Sequence, residues 1–136
     1  MKTWRRQTLA ALAGTFALGA GGCISLDLDC TISRSQKVQH VVLCWMKNPS
    51  DTATRDEIIR VSKTFKRIPG VLAVEAGTAL ASGRAIVDDS FDIGLVVTCC
   101  DQAALQRYLD HPTHRKAADT LIKPAARKIL VYDIAR

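Results

Sequence analysis

The chain is poor in the signatures that announce most chemistries. It contains no Cys-x-x-Cys and no His-Glu-x-x-His run. The ligand spacings of zinc sites are therefore missing, and no metal is expected. It has no Gly-x-Ser-x-Gly run and no visible His-paired cysteine, so no nucleophile is suggested. Aromatic residues are 5% of the chain, with only two tyrosines and three phenylalanines to line an aromatic-binding cavity. No cofactor is expected, haem included. No repeat occurs at the short periods of solenoids. The one long apolar run, residues 9–20, is short for a membrane span, which needs about 20 residues.

That run belongs to a different pattern. Lys2, Arg5 and Arg6 precede it, and Gly21-Gly22-Cys23 follows. A charged start, an apolar middle and small residues at the end are the layout of a secretory signal, here residues 1–22. Arg5-Arg6-Gln7-Thr8-Leu9 resembles a twin-arginine export signal, with Thr8 where a bulkier apolar residue is commoner. Ala20-Gly21-Gly22-Cys23 resembles a bacterial lipobox, with Cys23 as the lipidated residue and Ala20 where leucine is usual. The expectation is an exported protein, either anchored in a bacterial membrane through lipid on Cys23 or released to the periplasm by plain cleavage. Removing Lys2, Arg5 and Arg6 lowers the formal charge from +6 to +3. That is too weak and too dispersed for the basic face of a nucleic-acid binder, so no nucleic-acid partner is expected.

Residues 23–37 are polar and mixed and read as a tether. Residues 38–136 are the right size for one small domain. Residues 38–46 alternate as a strand, with His40, Val42, Cys44 and Met46 on one face and Val41, Leu43 and Trp45 on the other. Thr54-Arg55-Asp56-Glu57 matches a capping box that opens a helix reaching Arg67. Ile58, Val61, Phe65 and Ile68 form its apolar stripe, and Pro69-Gly70 stops it. Residues 71–79 make a second strand, with Leu72 and Val74 opposite Val71, Ala73 and Glu75. After a polar loop, residues 91–100 make a third strand in which Gly94 marks a bend or a close approach. Residues 127–134 make a fourth. The order βαββαβ predicts an α+β, ferredoxin-like fold: a four-stranded antiparallel sheet with both helices on one face. The other face is also largely apolar, and a second copy of the chain is its expected cover.

Among the five cysteines, Cys44, Cys99 and Cys100 fall in strand patterns and read as small buried hydrophobes. Cys99 and Cys100 point to opposite faces and should not bond to each other. Cys30 lies in the tether, and export permits disulfides.

The second helical region is interrupted. Residues 101–108 read as a helix with Ala104, Leu105 and Tyr108 at helical spacing, and a second run covers 113–122. Pro112 ends the first and suits the first turn of the second. Tyr108, His111 and His114 are thus gathered at one joint. Imidazole accepts a proton near pH 7, and a neighbouring phenol can hold a carbonyl or enolate oxygen. His114 and Tyr108 are the candidate catalytic pair; His111 and His40 are candidate binding residues. The plainer readings are a kink capped by solvated histidines and, for His40, a buried histidine with its hydrogen bonds satisfied.

The His40-Val41-Val42-Leu43 start, the Ile68-Pro69-Gly70-Val71 corner, the Phe91-Asp92-Ile93 strand, the Tyr108-x-x-His111-Pro112-x-His114 joint and the terminal Val131-Tyr132-Asp133 together resemble the stress-responsive dimeric α/β-barrel (Dabb) family. The resemblance implies that two ferredoxin-like domains pair into a dimeric α/β barrel. The family includes plant stress proteins and a polyketide cyclase, in which a tyrosine and a histidine act together. That histidine corresponds to His114, Tyr108 is the nearest phenol to it, and a further cyclase histidine corresponds to His40. Three functions are open on this reading: a dimer that binds a small, largely apolar molecule, an enzyme of cyclase or lyase type, or a non-catalytic structural or interaction module.

Overall fold

The computed structural model describes residues 36–136; the expected signal, Cys23 and most of the tether lie outside the described residues. Strands β1 (Val38–Met46), β2 (Val71–Gly77), β3 (Ile93–Cys99) and β4 (Ala126–Ala135) form one sheet in the order β2-β3-β1-β4. Every neighbouring pair is antiparallel. This is the expected ferredoxin-like arrangement. The predicted strand edges are right to within a residue or two. The exceptions are instructive. The third strand begins at Ile93 because the Asp92 carboxylate accepts the Met46 N–H and the Asp92 N–H goes to the Cys44 carbonyl. The Phe91 ring then folds over Gly94, where a Cβ would lie 3.2 Å from it, so the glycine does mark a close approach. In β2 a bulge between Val71 and Ala73 moves Val71 onto the core face with Val74, against the simple alternation read from the sequence.

The first crossover is α1 (Thr52–Lys63), which tightens into a 3-10 turn, Thr64–Arg67. The capping box does not form. Asp51 is the N-cap and accepts the Thr54 N–H at 3.0 Å, while Glu57 turns outward to pair with Arg60. The helix starts a turn earlier than the motif suggested, because Asp51 caps the Thr54 N–H and so places Thr54 within the first turn. Gly70 ends the crossover at φ +87°, and a Cβ there would sit 2.7 Å from the Ala104 Cβ. Only glycine allows both the left-handed turn and the close passage of the second helix.

The second crossover is broken. Helix α2 (Gln102–Asp110) is capped by Asp101 and ends at His111. Helix α3 (Pro112–Ala117) follows, then a π turn, Ala118–Ile122, closed by the Lys123 N–H on the Ala118 carbonyl, then a short helix α4 (Lys123–Ala125). The single run predicted over 113–122 is therefore two segments. Both crossovers cover one face of the sheet. The core there includes Phe65, Val97, Cys99, Ala104 and Tyr108, all fully buried. On the opposite face, Val41, Leu43 and Val96 are half-buried, and β4 exposes Tyr132 and Ile134. Trp45 on that face is covered locally by the Phe91 ring and by the Lys128 ammonium, 4.2 Å from its ring centre.

Candidate functional site

A cleft of about 210 Å³ opens on the helix side of the sheet. Its floor is His40, Val42 and Leu95, its inner wall is Phe65, Tyr108 and His114, and its outer rim is the π turn with Ile129 and Val131 of β4. The cause is the broken crossover. Pro112 has no N–H to continue α2, and the chain turns there through the extended backbone of His111 (φ −64°, ψ 133°). The π turn then carries Ala118 and Ile122 to the rim. π turns are rare and concentrate at functional sites.

The polar atoms in this cleft have defined states. His114 Nδ1 lies 3.0 Å from the Leu109 carbonyl. A carbonyl only accepts, so Nδ1 carries the proton and Nε2 keeps its lone pair. Burial lowers the His114 pKa from its ordinary value, with the Leu109 bond opposing, and the ring is neutral at pH 7. His40 Nδ1 lies 2.7 Å from the Asp133 carboxylate, an acceptor, so this Nδ1 also carries a proton. Neither Nε2 has a hydrogen-bond partner among the described residues. Tyr108 stands between the two, its ring centre 4.5 Å from that of His114 and 5.8 Å from that of His40. Its hydroxyl is buried and makes no hydrogen bond. Burial also pushes the phenol pKa up, so it remains a proton donor across the physiological range. Beside the His114 acceptor the cleft thus holds one donor with no acceptor, in walls that are apolar apart from the two histidines and Lys123.

The family model of the stress responsive A/B barrel domain matches residues 38–135. The chain belongs to this Dabb family. No protein of curated function matches it. Among solved structures it is similar to a Dabb protein with a ferredoxin-like fold from Mesorhizobium loti (25% identity, 75% of this chain, 98% of that one, TM-score 0.62). It is also similar to a dimeric ferredoxin-like protein of unknown function from Thermobifida fusca (19%, 76% and 93%, TM-score 0.63). A third relative in fold is a hydroxynitrile lyase from Passiflora edulis (22%, 74% and 94%, TM-score 0.65).

In this Dabb domain, His40, Tyr108 and His114 are brought together as the sequence suggested. His111 is not. Its ring caps α3, with Nδ1 accepting the Thr113 N–H at 3.2 Å, and it does not line the cleft. Nδ1 accepts in His111 and donates in the other two, so the three histidines divide by hydrogen-bond role as well as by place. Asp133 was missed. The signal was present only in the register: His40 pairs directly with Asp133 across β1 and β4, and paired residues of antiparallel strands project to the same side. The described residues hold no cluster of His, Cys, Asp or Glu that could bind a metal ion.

Proposed function

We propose that this is an exported, dimeric protein that binds a small, largely apolar molecule carrying an acceptor oxygen. One observation carries the ligand: the Tyr108 hydroxyl is buried on the cleft with no protein acceptor. An orphaned buried donor costs about 1–3 kcal/mol, which a carbonyl or oxyanion of the ligand would recover. The cleft is smaller than the roughly 300–1,000 Å³ of most ligand pockets, and equals about seven waters of liquid volume, so the ligand is small. The dimer is supported by the apolar, uncovered sheet face and by the dimeric neighbours in fold. Lipid on Cys23 would anchor it to the membrane. Native mass spectrometry of protein from its own membrane should find a small molecule retained by the wild type and lost from Tyr108→Phe. Equal retention by both would reject the site.

A second reading is acid–base catalysis of lyase or cyclase type. It is favoured by the pairing of an unprotonated His114 Nε2 with a phenol donor at one cleft, and by the likeness in fold to a lyase. In this reading His114 removes a proton from the substrate and Tyr108 holds the oxygen on which charge develops. The rate would then fall as pH drops below the lowered His114 pKa, and His114→Gln would abolish turnover while leaving binding measurable.

A further inference from the structure

One permanently charged side chain lines the cleft. Among the described residues that form its wall, Lys123 is the only lysine or arginine, and none is an aspartate or glutamate. Lys123 directly follows the π turn at the rim. Its side chain is 65% exposed, so the stem lies along the wall while the ammonium reaches the water at the mouth. There it holds the Asp119 carboxylate at 2.7 Å, and Asp119 itself lies outside the wall. Asp133, held by His40, is off the wall too. A molecule in the cleft therefore meets a phenol donor on the inner wall and a cation at the mouth, with no carboxylate lining the space between them.

We propose that Lys123 makes the cleft selective for an anion, and that the ligand is a small oxo acid. Its carbonyl oxygen accepts from the Tyr108 hydroxyl, a short apolar spacer fills the cleft, and its carboxylate sits at Lys123. The carbonyl end rests on the reading that the Tyr108 hydroxyl is kept for a ligand oxygen. The cleft offers one cation and no guanidinium fork, so a singly charged carboxylate fits it better than a phosphate of about two charges. A volume of about 210 Å³ leaves room for only a short spacer. The ion pair with Asp119 competes with the ligand. Both of its partners are more than half exposed, so it is weak, and an arriving carboxylate can take the place of Asp119 on the ammonium. Burial is the main influence on the His114 pKa, but Lys123 also lowers it and Asp119 raises it, so both charges are felt inside the cleft.

The test uses three probes and ligand-observed NMR titration of the full-length protein at low salt. Levulinate carries both groups, methyl propyl ketone only the carbonyl, and valerate only the carboxylate. Levulinate should bind the wild type more tightly than either of the others. Lys123→Gln should weaken both acids by about fivefold, the upper end for a solvent-exposed ion pair, and leave the ketone unchanged. Asp119→Asn should act in the opposite direction and tighten both acids. Tyr108→Phe should weaken levulinate and the ketone by about tenfold and leave valerate unchanged. If the ketone binds the wild type as tightly as levulinate does, if Lys123→Gln leaves levulinate unchanged, or if neither acid binds at millimolar concentration, the proposal is overturned. A ketone that still depends on Tyr108 would then keep the site and reject only the anion. Acids that respond to Lys123→Gln and Asp119→Asn but not to Tyr108→Phe would uphold the anion and reject the hydroxyl as the partner of the ligand oxygen.

Discussion

The two crossovers lie over the same sheet face and do opposite things with it. The first runs from Thr52 to Arg67 without a break, and buries Ile58, Ser62 and Phe65 almost completely. The second, from Gln102 to Ala125, contains two prolines and a π turn and leaves the cleft beside β4. An uninterrupted helix closes its half of the core. An interrupted one gives up packing, and the space it leaves is where the imidazoles and the phenol collect. Polar chemistry follows the broken helix because buried polar groups cost least where a ligand can complete them.

The largest effects should come from positions where the halves are alike. Ile58 in α1 and Leu105 in α2 are both buried. Truncating either to alanine should cost about 2–5 kcal/mol in urea unfolding. If Leu105→Ala were much the cheaper, the second half would be loosely packed throughout, and the contrast would not begin at Pro112.

A smaller effect tests how the unbroken half starts. Asp51→Ala should cost about 0.5–2 kcal/mol, because the carboxylate satisfies the Thr54 N–H. Thr54→Ala should change stability by well under that. A capping box centred on Thr54 would reverse the order.

These positions also mark what could be read from the chain alone. The strands were legible because alternation is strong in β1 and β3, and the Pro112 break was legible because proline removes a specific donor. The cap was misplaced because Asp51 and Thr54 are both good capping residues, and only the actual helix start chooses between them. The β2 bulge and the π turn leave no trace in hydrophobic period. The His114 ring is half-buried and lies against Phe65 and Tyr108. Removing it should therefore cost more than one net hydrogen bond of about 1 kcal/mol.

That burial gives a pH test of the broken half. The folded-state pKa of His114 is lowered, so between that value and the ordinary value of about 6.5 the unfolded chain binds more protons than the folded one. The associated stability is fully present above about pH 6.5 and is lost as pH falls toward the lowered pKa. The urea midpoint of the wild type should accordingly drop more between pH 7.5 and pH 5 than that of His114→Gln. Parallel curves for the two proteins would mean that His114 titrates as if exposed.

The smallest stability effect is the most telling. Tyr108 is fully buried, and in a packed core Tyr→Phe usually removes a hydrogen bond and destabilises by about 1 kcal/mol. Here there is no protein hydrogen bond to lose. The ring keeps its contacts with His40, Phe65 and His114. Deleting the oxygen relieves a desolvated donor, so Tyr108→Phe should leave the urea midpoint unchanged or raise it. Over the same substitution, retention of an oxygen-bearing ligand should fall by about tenfold, the equivalent of about 1.4 kcal/mol. Stability and binding thus move independently only if the hydroxyl is kept for something outside the chain. If Tyr108→Phe destabilises the domain by a kilocalorie per mole or more, the hydroxyl has a partner within the protein, and the second crossover is a core like the first.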